Sequence, residues 1–168
     1  MVQPVIRDAL SDEEAAICHL IKAAFQGMLY ADGTEHRLVA ALSAAGRLTL
    51  SLVAVVDGQP VGHVAMSPVT VGDRDCEWYI LAPLAVLPSF QQQGTGSALV
   101  CAALEKLRQA GAAGCVVLGD PGYYRRFGFT LEHGLILPDV PPGYFQALAF
   151  DAGAGMPSSA VRHYVMLE

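Results

Sequence analysis

The strongest chemical signal in the chain is the run Gln91-Gln92-Gln93-Gly94-Thr95-Gly96-Ser97. Glycines at 94 and 96 let a backbone turn tightly and come close to a ligand. The run leads into an apolar-periodic segment, so it sits at the start of a helix. Successive amides at such a start, backed by the helix macrodipole, can hold a phosphate without any basic side chain. It is not a dinucleotide fingerprint, because Leu99 stands where the third glycine belongs. The Lys-Ser/Thr pair of a Walker A loop is missing as well. Taken alone, a Gly-x-Gly at a helix start has an ordinary turn as its alternative.

A second feature lies just upstream. Pro83 falls inside a strand read over Glu77 to Leu87. Proline cannot donate to a ladder, so a central strand carrying one bulges or splays there. A splay leaves backbone groups unpaired, and such groups are costly when buried unless a ligand takes them. A harmless bulge is the competing reading.

Other chemistry is thinly represented. Cysteines 18, 76, 101 and 115 are scattered singly, with no Cys-x-x-Cys and no histidine at ligand spacing. A zinc site or a disulfide framework is therefore not expected. Each reads as a free cysteine acting as a small core hydrophobe. Cys101, beside Ala102 and Ala103, has a core address, and Asp75 and Glu77 would raise the thiol pKa of Cys76.

The elements that would position these residues follow from periodicity. Val2 to Arg7 is a first strand. Ser11-Asp12-Glu13-Glu14 reads as a capping box opening a helix, with Ile17, Leu20, Ile21, Ala24, Phe25 and Met28 on one face. Asp32 with Glu35 opens a second helix, striped by Leu38, Leu42 and Ala45 and ended by Gly46. The loop between them, Gly27 to Gly33, carries Met28, Leu29 and Tyr30.

Thr49 to Val56 and Val61 to Val71 pair across Asp57-Gly58, a strong hairpin signal. A turn over Val71 to Asp75 adds the Glu77 strand, giving a three-stranded antiparallel meander. Gly94 to Ala110 is a helix with Leu99, Ala103, Leu107 and Ala110 inward, and Cys115 to Leu118 is a parallel strand after it. Gly122 to Arg126 is a short helical piece, Asp151 to Ser159 a loop, and Val161 to Leu167 a last strand. No repeat or linker divides the chain, so residues 1–168 read as one α/β domain.

In that context the motif becomes specific. Leu84-Ala85-Val86-x-Pro88-x-x-Gln91-x-x-Gly94-x-Gly96 resembles the acyl-CoA signature of the GNAT superfamily of N-acetyltransferases. About thirty residues on, Tyr123-Tyr124-Arg125-Arg126-Phe127-Gly128-Phe129 resembles that superfamily's second signature. Leu118-Gly119-Asp120-Pro121 with the two tyrosines resembles a bacterial branch of acetyltransferases, mostly without assigned substrates. The resemblance covers residues 1 to 130, more loosely the rest.

It implies a mixed, mostly antiparallel central sheet with splayed strands 4 and 5, flanked by helices. It also implies acetyl-CoA as co-substrate, without a metal. Leu84, Ala85 and Val86 match the splayed strand whose main chain pairs with the pantetheine arm. Gln91, Gln92, Gln93, Gly94, Thr95, Gly96 and Ser97 match the pyrophosphate loop, with Gln91 where the family often has Arg. Tyr124 matches the tyrosine that protonates the departing thiolate. A phenol near pKa 10 can do this while staying protonated at neutral pH. Tyr123 reads as core or cofactor wall.

The implied reaction is direct attack of an amine on the thioester in a ternary complex. Amides near Val86 stabilise the oxyanion, and proximity replaces a covalent intermediate. The attacking amine must also lose a proton. Glu77 is the nearest acidic candidate, with Asp75, Asp120, His63 and His133 as others. A glutamate at a strand entrance is ordinarily a solvated edge charge, and His63 reads as a satisfied sheet histidine. Trp78, Phe25, Met28 and Tyr30 could wall an acceptor pocket, though core packing is the default. Arg125 and Arg126 read as helix-end charges.

Composition bounds the rest. The 168 residues are 53% apolar and only 15% charged, against about 25% in ordinary soluble domains. Apolar runs such as Leu48 to Val56 are strand-sized, well short of the roughly 20 residues of a membrane span. The N-terminus lacks signal-peptide character, so a cytoplasmic protein is expected. A net charge of −6 without basic runs argues against nucleic acid. A small-molecule or protein amine is the expected acceptor, and a homodimer is left open. The alternative function is a non-catalytic acyl-CoA-binding or sensing domain, since a fold does not fix an activity.

Overall fold

A computed structural model of the chain describes residues 3–26, 35–72, 74–131, 133–135, 137, 142–150 and 161–163. They fall into two compact units: Met1–Met66 with Pro83–Ala103, and Ser67–Ala82 with Leu104–Glu168. The loop at 27–33, Asp32, the side chains of Asp75 and Cys76, and the segments 151–160 and 164–168 lie outside the described residues.

The first unit begins with β1 (Val5–Asp8), α1 (Glu14–Phe25) and α2 (Glu35–Ala44). Ser11 does not cap α1. Residues Ser11–Glu13 form a single 3-10 turn, and the Glu13 carboxylate accepts from the Leu10 N–H at 2.8 Å. Arg7 explains the change, because its guanidinium grips Glu13 through two bonds of 2.8 Å and aims the carboxylate back along the chain. The Arg7 charge and the Leu10 amide hold the Glu13 carboxyl at about 2.

Ile17, Leu20, Ile21 and Ala24 recur at helical spacing and are buried, packing with Val39, Val53, Ala65 and Ala85. Each such burial contributes about 1.5–3 kcal/mol for the larger side chains. Gly46, at φ +68, ends α2 as expected, with the Arg47 N–H reaching back to Leu42 O at 2.9 Å.

β2 (Leu50–Val56) pairs antiparallel with β1, and with β3 (Gln59–Val71) across a tight turn. Asp57 and Gly58 both have positive φ, the conformation two-residue hairpins require. The following strand β4 is longer than the sequence suggests, running Arg74–Val86 straight through Pro83. Glu77 sits in it with φ +59 and its side chain exposed, while its carbonyl accepts from Ala113.

α3 (Thr95–Gln109) follows. Leu99, Val100, Ala103, Leu104 and Leu107 form its buried stripe. Cys101 is exposed, contrary to the core address expected from its alanine neighbours, because it lies on the face away from that stripe. Ala110 is exposed too, just past the end of the helix.

The second unit holds β5 (Gly114–Leu118), α4 (Pro121–Tyr124), β6 (Phe145–Ala149) and β7 (Val161–His163). β5 runs parallel to β4 from Trp78↔Gly114 to Leu81↔Val117, and antiparallel to β6. β7 pairs antiparallel with the end of β3. The core of this unit joins Val69, Trp78, Ile80, Val116, Leu135, Phe145 and Ala147. Trp78 is core rather than pocket wall, lying so close over Gly114 that a Cβ there would be 2.5 Å from the indole. The sheet is mixed and mostly antiparallel, with helices around it.

Candidate functional site

The paired register of β4 with β5 ends at Leu81, two residues ahead of Pro83. Beyond it, Leu84–Val86 continue as strand, with Ala85 buried and Leu84 and Val86 half-buried. The strand is anchored in its own unit where the Leu87 N–H donates to Val61 O at 2.9 Å. Proline cannot donate to a ladder, and the pairing of β4 with β5 stops two residues short of it.

A turn at Pro88–Phe90 leads into the glycine loop. Gln91 donates its side-chain amide to Val86 O at 2.9 Å, and Gln93 donates to Ser89 O at 2.9 Å. The two glutamines therefore shape the loop, with their amides turned to the protein backbone. Gln92 and Gly94 have φ of +60 and +86. A Cβ on Gly94 would meet nothing within 4 Å, so the residue faces open space.

The Ala98 N–H to Gly94 O bond, at 3.0 Å, marks where helical bonding begins. Thr95, Gly96 and Ser97 stand in the first turn, whose N–H groups have no acceptor four residues back. Thr95 is buried. Gly62 makes the seat for this turn, since a Cβ there would come within 2.9 Å of Leu99 and 3.3 Å of Thr95. The loop can hold an anion on backbone groups alone.

Tyr124 belongs to the second unit, where Asp120 caps α4 by accepting from Gly122 N at 3.0 Å. The tyrosine is buried, and its ring lies on Gly119, where a Cβ would be 2.5 Å from Cε2. Tyr123 and Phe129 meet it edge-on, with centroids 5.0 and 5.8 Å away. Burial first, then Tyr123 and Cys115, pushes the phenol above its ordinary range, so it stays protonated at neutral pH. Tyr123 is half-buried and covered by the Arg126 guanidinium at 4.6 Å, which gives that helix-end charge its partner.

The candidate bases sort by their contacts. Asp120 is committed to its cap. His133 is held on both sides, with Nε2 at 2.8 Å from Phe145 O and Nδ1 accepting from Leu135 N at 3.2 Å. Glu77 is exposed near the start of β4, with a left-handed backbone. His63 is fully buried and only half satisfied. Its Nε2 meets Ser51 Oγ at 2.8 Å, while Nδ1 has no partner among the described residues. Burial lowers its pKa to about 4, leaving it neutral at pH 7. Among the described residues no cluster of His, Cys, Asp or Glu could hold a metal. No helix there is long and apolar enough to cross a membrane.

The family pattern for an acetyltransferase (GNAT) domain matches residues 48–131, the stretch that holds the loop and Tyr124. The chain is also 41% identical over 128 residues to the uncharacterized N-acetyltransferase YhbS of Escherichia coli (strain K12), covering 76% of this chain and 74% of that one. The chain belongs to the GNAT family of acetyltransferases. Acetyl transfer to an amine is the general reaction of that family.

Solved GNAT structures agree. The GNAT family acetyltransferase from Brucella melitensis, in complex with acetyl-CoA, superposes with a TM-score of 0.87 at 43% identity over 98% of both chains. Escherichia coli YhbS in complex with CoA gives a TM-score of 0.90 at 35% identity, covering 100% of this chain and 94% of that one. The two GNAT signatures were legible in the sequence. The support of the Tyr124 ring by Gly119 was not.

Proposed function

We propose that this GNAT acetyltransferase takes acetyl-CoA on the main chain of Leu84–Val86 and the Gln91–Ser97 loop. It passes the acetyl group directly to a primary amine. The observation that carries the reading is Gly94, left-handed and open to space, directly ahead of the first turn of α3. The backbone N–H groups from Gln92 to Ser97 hold the pyrophosphate, because the Gln91 side chain is spent on Val86. Bound acetyl-CoA supplies the thioester. The strand amides near Val86 stabilise negative charge on the carbonyl oxygen. Tyr124 gives its proton to the departing sulfur, a role its buried and protonated phenol supports.

The alignment over 98% of both chains supports residues 1–168 acting as one acetyltransferase domain. The acceptor is an amine of a small molecule or a protein. Relatives in Escherichia coli and Brucella melitensis support a bacterial enzyme. The apolar composition leaves room for a homodimer.

Calorimetry with acetyl-CoA on the wild type, Gly94→Ala and Gly94→Trp tests the reading. Both variants carry the same left-handed backbone strain, but only tryptophan fills the open space. Binding lost in Gly94→Trp and kept in Gly94→Ala is the expected result. Equal binding by all three would remove the loop from the site.

A further inference from the structure

Gln146 is the chemical oddity of the second unit. It is the second residue of β6, opposite Val117, only 1% exposed and flanked in sequence by the buried apolar residues Phe145 and Ala147. A strand position like this ordinarily takes an apolar side chain, because a buried amide must find partners. Gln146 finds one 27 residues upstream, where its Nε2 donates to the carbonyl of Gly119 at 3.1 Å.

Gly119 is held on its other side too. Its N–H donates to Tyr144 O at 2.9 Å. Both peptide groups flanking the Gly119 Cα are thus fixed, although glycine is the residue with most freedom to rotate them. The Tyr124 ring rests on that Cα, with Cε2, Cδ2 and Cζ at 2.5, 3.1 and 3.6 Å from where a Cβ would stand. The remaining ring neighbours named above are edge contacts, and edge contacts let a ring slide. The Gly119 floor sets its height.

We propose that Gln146 is a positioning residue for the proton donor Tyr124, acting through the Gly119 peptide. The proposal rests on the reading of Tyr124 as the acid. In that step the C–S bond breaks, its electron pair stays on sulfur, and the Tyr124 O–H proton moves to the sulfur. The proton lost by the attacking amine balances the one the phenol must regain from water. Loss of the Gln146 bond frees the Gly119 carbonyl to turn, and the phenol hydroxyl drifts from its place.

The test needs no acceptor. The thiolate absorbance of bound CoA is titrated in the wild type, Tyr124→Phe, Gln146→Met, Gln146→Glu and the Tyr124→Phe/Gln146→Met double variant. A phenol donating to sulfur favours the thiolate, so Tyr124→Phe should make the bound thiol about tenfold less acidic. Gln146→Met, which removes the donor at similar volume, should give about threefold in the same direction, and nothing further on top of Tyr124→Phe. Gln146→Glu keeps the shape but presents an acceptor, and serves equally if the methionine variant fails to fold. An unchanged thiol in Tyr124→Phe overturns the acid reading itself. A shift in Tyr124→Phe, with none in the Gln146 variants or with effects that simply add, overturns the positioning role alone. Wild type that binds no CoA overturns both.

Discussion

Gln91 donates its side-chain amide to the carbonyl of Val86 at 2.9 Å, tying the glycine loop to the last residue of β4. A residue in this place could hold phosphate or hold the strand, and the bond assigns it to the strand. Gln91→Ala is therefore expected to weaken CoA and a phosphate-free pantetheine thioester alike, by about threefold to tenfold each for one lost hydrogen bond. Calorimetry on both ligands checks this. A loss confined to CoA would return Gln91 to the pyrophosphate.

Gly119 and Gly114 make a matched pair. Neither has a left-handed backbone, so alanine meets only the neighbouring ring: Tyr124 at 119, Trp78 at 114. Each Cβ would sit 2.5 Å from a ring carbon, and forcing such a contact costs about 1–3 kcal/mol. Gly119→Ala should lower turnover with CoA affinity unchanged. Gly114→Ala should lower only the melting temperature. Thermal melts beside kinetics on the folded fraction separate the two.

His63 makes stability depend on pH. Its folded pKa, about 4, lies below the ordinary 6.5, so the unfolded chain binds more protons between those values. Stability is full above about pH 6.5 and falls as pH drops toward 4. From about pH 7 to pH 5 the loss is about 2 kcal/mol from this group. Urea melts of wild type and His63→Leu should show the variant losing less over that range. An identical slope in both would mean His63 is not buried and neutral.

Much of this architecture was legible because local chemistry and fold agree. Asp57-Gly58 can scarcely be anything but a hairpin, Gly46 ends its helix, and Pro83 stands two residues past the end of the β4–β5 register. The misreadings have a common cause. Ser11 looked like a cap until Arg7, four residues upstream on β1, took Glu13 and aimed it at Leu10. Cys101 looked buried from its alanine neighbours, but angle around α3 decides exposure. Gln146 shows nothing of its role in sequence, since its partner Gly119 is brought beside it only by the pairing of β5 with β6. His63 looked satisfied, and only packing reveals an Nδ1 with no partner among the described residues.

Acetyl transfer with Tyr124 as the acid is the centre of the account, and Tyr124→Phe meets it most directly. Release of CoA from acetyl-CoA is followed across a panel of primary amines, with CoA affinity measured on the same preparations. Turnover falling by about a hundredfold or more at unchanged affinity is the predicted result. Turnover equal to wild type would contradict it.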